Sequence, residues 1–377
     1  MSYSLNPLEP ARIVDAPLDR GSFETAEVLP RTRNEILVQK LNQRAIPSLD
    51  GIRAIAALLV VGLHGAYNFI PGRLGVLVFF VLSGFLITRL LLIEEDKTGT
   101  VSLKIFYERR AFRIFPAFYA YAIAVTLYLL PTPPWAKLAT CYLYISNYAL
   151  VWMRPDFPMP GSWSLSVEEQ FYLLWPASFR AMVKRGKNVV AILVTIIVAV
   201  QIWKVMLFFA HVDGEYLHSA SDTRCSDLLV GCVLAILTHR KFRIPEFLLH
   251  PAATVAPLAV FLLAAYLDAV GRHEVAIAFF YTPAAIATAV LMLQCIALSD
   301  RHPFSWLDWN WVRYLGRTSY SLYLWHGFAI AAVVAMGPMK YRWHIVLVFA
   351  LAIIFASLSY HCIERPFLRL RARLTEK

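Results

Sequence analysis

Long apolar runs recur along the chain and are separated by short polar segments. Most of them approach the roughly 20 residues that a helix needs to cross a bilayer. Nine runs are clear, and a tenth, 163–179, is more polar. The ten segments are 52–70, 74–93, 111–130, 163–179, 189–210, 227–238, 252–270, 275–298, 319–336 and 345–363. This pattern predicts an all-α, polytopic integral membrane protein with about ten transmembrane helices.

One further apolar stretch, 142–152, is too short to cross a bilayer and closely follows Pro131, Pro133 and Pro134. We therefore predict a re-entrant or interfacial segment near 135–152 rather than an eleventh crossing.

The distribution of basic residues tests this count. With ten crossings, 27 of the 36 Lys and Arg residues fall on the side that holds both termini, and seven fall on the other side. Cytoplasmic loops of membrane proteins carry such an excess, so we expect both termini in the cytoplasm. An eleventh crossing would move the basic segment 184–187 outside and break the pattern.

Composition agrees with a membrane protein, because 59% of residues are hydrophobic and only 16% are charged. We divide the chain into a disordered cytoplasmic tail (1–45), a transmembrane domain (46–367) and a basic cytoplasmic tail (368–377). The net charge is +11, and the basic residues cluster between the apolar runs. This distribution indicates anionic partners and lipid at the membrane face rather than nucleic acid. No cluster of residues has the spacing of metal ligands, so no metal site is expected.

Two ionisable residues interrupt the first apolar run. Arg53 and His64 are eleven residues apart, which is about three helical turns, so they share one face roughly 16 Å apart along the axis. A guanidinium at the cytoplasmic mouth suits a phosphate-bearing ligand, and an imidazole near mid-bilayer can act as a base. The alternative is that Arg53 only obeys the positive-inside rule and that His64 bonds a neighbouring helix. We favour function for His64, because ionisable groups are costly in a membrane.

The stretch "YERRAFRIFPAFY" places Arg110 and Arg113 three residues apart, on one helical face where a helix enters the membrane. Either an anionic cosubstrate or a lipid headgroup would satisfy these charges.

The stretch "GSWSLSVEEQFYLLWP" carries Glu168 and Glu169 inside a segment that could span the membrane. At least one carboxylate must face a cavity, since exposure to lipid would be too costly. Trp163 and Ser166 lie nearby and offer indole and hydroxyl donors. The alternative is a structural pair between Glu168 and a cation on another helix.

Two further stretches hold polar groups. His326 lies among aromatic residues in "YLGRTSYSLYLWHGF", where a packed, hydrogen-bonded histidine is the commoner case. Ser83 and Gly84, in "GVLVFFVLSGFLIT", are small enough for close helix approach. Ser83 lacks the flanking glycines of a nucleophile elbow.

Together, these stretches resemble the membrane-bound acyltransferase-3 family. The similarity runs from about residue 49 to 369, through "LDGIRAIAALLVVGLH", "FFVLSGFLIT", "RRAFRIFP", "GSWSLSVEEQFYLLWP", "LGRTSYSLYLWH" and "HCIERPF" in that order. The resemblance implies a ten-helix enzyme of the bacterial inner membrane. It would move an acyl group, usually acetyl, from acetyl-CoA to a sugar of a surface or exported glycan. Acetyl-CoA is then a cosubstrate, and no permanently bound cofactor is expected.

The resemblance also implies roles for residues. The family's arginine-x10-histidine motif falls on Arg53 and His64, and its RxxR motif falls on Arg110 and Arg113. Its "WSLSVEEQ" element falls on Ser166, Glu168 and Glu169, of which we favour Glu168. We accordingly expect His64, Glu168 and Glu169 to be catalytic, and Arg53, Arg110 and Arg113 to bind the donor. Trp163, Ser166 and His326 are expected to bind substrate, although "LWHGF" departs from the family's usual "LWHWP".

Several alternatives stay open. His64 could be a general base, carry the acyl group briefly or protonate the leaving thiolate, and a glutamate could orient it. Some relatives carry an esterase-like domain after the membrane part; we expect none here, so a second transfer would need a partner. The rival functions are a proton-coupled transporter or flippase and a non-catalytic scaffold.

Overall fold

The computed structural model describes residues 32–43, 45–65, 70–154, 157–159, 161–240, 242–337 and 342–375. Within these ranges the chain is helical and has no β-strand, which confirms the predicted fold class. The first ten α-helices are α1 (Arg33–Leu41), α2 (Pro47–His64), α3 (Gly72–Thr98), α4 (Leu103–Tyr128), α5 (Trp135–Tyr142), α6 (Ser146–Trp152), α7 (Ser162–Lys184), α8 (Val189–Phe209), α9 (Gly214–Ser219) and α10 (Ser221–His239).

Seven further α-helices follow, and short 3-10 or π-helical turns connect some of them. The helices are α11 (Val255–Ala269), α12 (His273–Val275), α13 (Tyr281–Ala297), α14 (Asn310–Arg317), α15 (Ser319–Ala335), α16 (Arg342–Ser359) and α17 (Arg365–Thr375). The connecting turns are Glu246–Leu249, Pro251–Thr254, Ala276–Phe280, Ser305–Asp308 and Tyr360–Glu364.

In the described part of the chain, seven helical segments are long and apolar enough to cross a membrane. They are Pro47–His64, Gly72–Thr98, Leu103–Tyr128, Val189–Phe209, Pro251–Ala269, His273–Ala297 and Trp343–Leu374. The other three predicted spans are also helices, α7, α10 and α15. Charged side chains lower the hydropathy of α7 and α10, and α15 is only 17 residues long. The chain is therefore a multi-pass membrane protein, and the count of ten crossings stays a prediction.

The α3 helix lies at the centre of the bundle and packs against α2 and α10. Two glycines set the α3–α10 distance: a Cβ on Gly84 would overlap the Leu228 carbonyl, and one on Gly231 would overlap the Val81 carbonyl. The sequence-based expectation that Gly84 permits close helix approach is thus confirmed. By contrast, α8 and α11 expose most of their apolar side chains, as expected of helices that face lipid.

The segment near 135–152 forms the two short helices α5 and α6, of eight and seven residues. At 1.5 Å per residue neither can cross a bilayer, in agreement with the sequence. The α6 helix packs against α7, where the Ser146 and Ser166 hydroxyls are 2.8 Å apart.

The prediction of a disordered tail over 1–45 is wrong for α1, while residues 1–31 lie outside the described residues. Thr32 and Glu35 form a reciprocal capping box, which supplies partners for backbone N–H groups that the first turn leaves unpaired. Leu37 is buried, and Lys40 pairs with Asp300 at 2.6 Å. At the other end, α17 continues past residue 367, so the described part of the basic tail is helical.

We predict that Gly231→Ala destabilises the protein, because the added methyl group would meet the α3 backbone, including the Phe85 nitrogen at 2.7 Å. Overpacking of this kind costs about 1–3 kcal/mol. Thermal unfolding in detergent, followed by size-exclusion chromatography, would measure the loss. Gly327→Ala is the matched control, since its nearest neighbour, the Tyr121 hydroxyl, is 4.0 Å away. Equal melting temperatures for the two variants would contradict close α3–α10 packing.

Candidate active site

An internal cavity of about 100 Å³ lies where α2, α3, α4, α7 and α15 converge, and we call it the arginine cavity. All three predicted donor-binding arginines line it, and so do both predicted catalytic glutamates. These residues are Arg53, Arg110, Arg113, Glu168 and Glu169. Residues that are far apart in sequence therefore meet at one site, as the resemblance implied.

The Glu168 carboxylate is held by two hydroxyl groups. Ser83 on α3 donates to one oxygen at 2.8 Å, and Tyr172, one turn further along α7, donates to the other at 3.3 Å. Ser83 is thus a hydrogen-bond donor at the site. Sequence reasoning missed Tyr172, although its i, i+4 spacing from Glu168 on a helix is a usable signal.

The arginines are held by groups other than carboxylates. Arg53 Nε donates to the Ser319 hydroxyl at 3.3 Å. The Arg110 guanidinium carbon lies 5.0 Å from the centre of the Tyr172 ring and 5.8 Å from that of Phe106, which are cation–π distances. Among the described residues, no carboxylate oxygen lies within 4.0 Å of the charged nitrogens of these two side chains or of Arg113. Three positive groups therefore surround a cavity without close ion pairs.

A second, smaller cavity of about 60 Å³ lies beside the first, and we call it the histidine cavity. His64 and His326 line it, with ring centres 5.1 Å apart. Leu165 and Tyr323 line both cavities, so these two side chains form the wall between them. Arg53 and His64 are thus stacked along α2 as expected, but they lie in adjoining cavities.

The backbone fixes how each imidazole is presented. Nδ1 of His64 lies 2.9 Å from the Val60 carbonyl oxygen, and Nδ1 of His326 lies 2.6 Å from that of Tyr323. A carbonyl oxygen can only accept, so both Nδ1 atoms donate and each Nε2 of a neutral ring keeps its lone pair. A basic nitrogen of this kind can receive a proton from a hydroxyl group.

The position of His64 differs from the prediction in one respect. The apolar run was expected to continue as a helix to residue 70, with His64 near its middle. The helix instead ends at His64, before Gly65, and the His64 side chain is exposed there. The following helix approaches closely at this point, since a Cβ on Gly72 would meet the Leu59 carbonyl oxygen at 2.8 Å.

Two predicted substrate-binding residues line neither the arginine cavity nor the histidine cavity. Ser166 is fully buried, and its hydroxyl contacts Ser146 and the Ser162 carbonyl on the side towards α6. Substrate binding by Ser166 stays a prediction. The remaining residue, Trp163, packs between Phe80 and His218 at ring-centre distances of 6.1 and 4.5 Å. Substrate binding by Trp163 likewise stays a prediction.

Behind Trp163 lies a group of buried charges that sequence reasoning did not assign. Arg224 is 1% exposed and lies 3.1 Å from the Asp227 carboxylate. Its guanidinium also stacks over Trp163 and Tyr281, at 5.8 and 4.8 Å. Nearby, the buried Lys204 amine donates to the hydroxyls of Ser226 and Thr282. The available signal was Lys204 within the predicted span 189–210 and Asp227 at the start of the predicted span 227–238.

This helical bundle, with membrane-length helices around a charged internal cavity, defines a multi-pass membrane protein with a buried polar site. The acyltransferase domain family, Acyl_transf_3, matches residues 46–361. The chain therefore belongs to this family of acyltransferase domains, which confirms the resemblance. No solved structure matches the chain.

Curated relatives agree with this assignment. The chain is 30% identical to the peptidoglycan O-acetyltransferase OatA of Listeria monocytogenes, over 87% of this chain and 56% of that protein. It is also 30% identical to the putative peptidoglycan O-acetyltransferase YrhL of Bacillus subtilis, over 86% of this chain and 55% of that protein. The chain is also 31% identical to a putative O-acetyltransferase of Staphylococcus aureus, over 86% of this chain and 57% of that protein. The chain thus spans about half the length of these relatives.

We predict that Asp227→Ala strongly destabilises the bundle, because it would leave the Arg224 and Lys204 charges buried without their counter-charge. Removing one partner of a buried pair costs about 3–5 kcal/mol. The melting temperature of the purified protein would report the loss. Asp213→Ala, at a half-exposed ion pair with Arg154, is the control and should cost about 1 kcal/mol or less. A stable Asp227→Ala protein would contradict the view that Asp227 balances these buried charges.

Proposed function

We propose that this acyltransferase transfers an acyl group, acetyl in the simplest case, from acyl-CoA to a hydroxyl group of a sugar in a surface or exported glycan. The observation that carries the proposal is the arginine cavity, in which three guanidinium groups have no carboxylate within 4.0 Å among the described residues. Guanidinium groups bind phosphate through charge-assisted hydrogen bonds. Coenzyme A supplies phosphates at one end and a thioester at the other, so a donor held here could reach the adjoining histidine cavity.

The histidine pair supports the second half of the reaction, in which the acyl group passes to the acceptor hydroxyl. In the proposed step, Nε2 of His64 takes the proton from the acceptor hydroxyl while its oxygen attacks the thioester carbonyl. The carbon–sulfur bond breaks, an ester forms, and the proton passes to the departing thiolate to give free coenzyme A. Leu165 and Tyr323 stand between the two cavities, so the thioester must pass these side chains to reach His64.

Glu168 and Glu169 have a role other than orienting His64 in this proposal. Glu168 is bound by Ser83 and Tyr172 rather than by an imidazole, so the role of orienting His64 does not fit it. In our proposal, Glu168 and Glu169 set the charge of the arginine cavity and limit its affinity for phosphate, so that the product coenzyme A can leave.

Acetyl as the acyl group and a sugar as the acceptor are supported by the relatives, whose names describe O-acetyltransferases and, for OatA, peptidoglycan. The proposed location is a bacterial inner membrane with both termini in the cytoplasm, which is supported by the excess of basic residues on one side. The donor would then enter the arginine cavity from the cytoplasm.

We predict that His64→Ala lowers acyl transfer by about 10²–10⁴-fold, because it removes the proposed general base. Transfer of radiolabelled acetyl from acetyl-CoA to envelope glycan, in membranes that contain the purified protein, would measure the change. His302→Ala, at an exposed histidine outside the arginine and histidine cavities, is the matched control. Activity within about twofold of wild type for His64→Ala would remove His64 from the mechanism.

We further predict that Arg110→Gln combined with Arg113→Gln weakens coenzyme A binding by at least about tenfold, since each lost charge-assisted hydrogen bond contributes about 1.5–3 kcal/mol. Isothermal titration of the detergent-solubilised protein with coenzyme A would measure the dissociation constant. Arg109→Gln is the control, because Arg109 is exposed on the same helix and does not line the cavity. Unchanged binding in the double variant would instead favour lipid anchoring by these arginines.

A further inference from the structure

A third cavity, of about 710 Å³, lies away from the arginine cavity, and we call it the polar cavity. It is formed where α3 begins, where α8 ends and where α9 and α12 connect their neighbours. Its polar lining includes Arg73, Arg154, Asp213, His218, Arg272 and Glu274. Nothing in the donor half of the proposed reaction uses these residues.

Helix geometry orders the three cavities. On α3, Arg73 lines the polar cavity and Ser83 lines the arginine cavity, and ten residues of helix span about 15 Å. On α2, Arg53 and His64 are separated by a similar rise in the antiparallel direction. His64 ends α2 and Arg73 begins α3, and Arg73 lies within electrostatic range of His64. The α2 and α3 helices thus form an antiparallel hairpin, and the histidine pair lies at the end of this hairpin that is nearer the polar cavity.

The polar cavity and the arginine cavity differ in charge. Three arginines in the polar cavity are matched by three acidic residues, Asp213, Glu215 and Glu274. Internal contacts also neutralise the lining, since Arg154 pairs with Asp213 at 2.5 Å and Asp268 accepts from His273 at 2.6 Å. A balanced lining offers donors and acceptors to hydroxyl groups without a net attraction for phosphates. An uncharged, hydroxyl-rich ligand therefore suits this cavity better than coenzyme A does.

His218 gives the polar cavity a neutral acceptor group. Burial, together with the positive charge of Arg224, lowers the pKa of His218 well below its ordinary value, so the imidazole is uncharged near pH 7. Its Nδ1 is buried and has no hydrogen-bond partner among the described residues. The ring also packs against Trp163 at 4.5 Å, which fixes its orientation. An unsatisfied buried nitrogen of this kind favours a ligand that supplies a hydrogen bond.

We propose that the polar cavity binds the acceptor, an uncharged sugar unit of a glycan, and presents its hydroxyl group to His64 from the side opposite the arginine cavity. This assignment rests on the proposed function. The donor and the acceptor would then approach the histidine pair from opposite ends of the α2–α3 hairpin.

The test uses the full chain with Arg272→Gln and Glu274→Gln combined. Both side chains are exposed, so the substitutions should leave folding intact, which size-exclusion chromatography would verify. Acetate released by mild base from envelope glycans of cells with each variant as the only copy would report transfer. Titration of the purified protein with coenzyme A would report donor binding. Lys137→Gln is the control, a cation outside the polar cavity on the side with few basic residues.

We expect glycan acetate to fall by about tenfold or more, since each lost hydrogen bond is worth up to tenfold, while coenzyme A binding stays within about twofold of wild type. Undiminished glycan acetate in the double variant would overturn the assignment. So would an equal loss of coenzyme A binding, because the cavity would then serve the donor. If cells with the wild-type gene release no more acetate than cells without it, the proposed function is wrong. The acceptor-site assignment, which rests on that function, is then wrong as well. His218→Gln is a second variant, for which we also expect less glycan acetate and unchanged coenzyme A binding.

Discussion

The high cost of placing charge in apolar surroundings governs this structure. The arginine cavity gathers three guanidinium groups and two carboxylates inside a helical bundle, where a lone ion would be strongly unfavourable. The charges are tolerated because neutral groups solvate them: hydroxyls of Ser83 and Tyr172 hold Glu168, and the Tyr172 ring faces Arg110. Tyr172 thus stabilises an anion through its hydroxyl and a cation through its ring. The cavity keeps its positive groups available because their partners are neutral.

Three helices with buried polar residues look least like membrane spans, although α2 and α4, which carry the arginines and His64, meet the criterion. Of the ten predicted segments, α7, α10 and α15 fail the simple criterion of length and hydropathy. The α7 helix supplies both glutamates, α10 supplies the buried Arg224–Asp227 pair, and α15 supplies His326. Such helices must be surrounded by other helices, whereas α8 and α11 can face lipid because their exposed surfaces are apolar. Low hydropathy in a predicted span therefore marks its place in the bundle interior.

Local periodicity explains what could be predicted from the sequence. The stacking of Arg53 and His64 along one helix follows from eleven residues at 3.6 per turn, and the acyltransferase family was recognisable from six ordered motifs. Periodicity does not predict contacts between residues on different helices. Nothing in "YLWHGF" indicates that His326 lies 5.1 Å from His64, and nothing in "WSLSVEEQ" indicates that Ser166 faces α6. The early end of α2 was also missed, because the apolar run continues past His64 to residue 70.

The wall between the arginine and histidine cavities explains how donor and acceptor could be kept apart until both are bound. The Tyr323 hydroxyl is tied to Ser164 and to the Gly161 carbonyl, at 2.5 and 2.9 Å, so this side of the wall is fixed by hydrogen bonds. Leu165 has only apolar contacts to lose and can change rotamer at lower cost. Leu165 and Tyr323 separate His64 from a thioester that is still in the arginine cavity. Movement of Leu165 by the donor's own arm would then expose the thioester only when the arm has reached His64, which limits hydrolysis in favour of transfer.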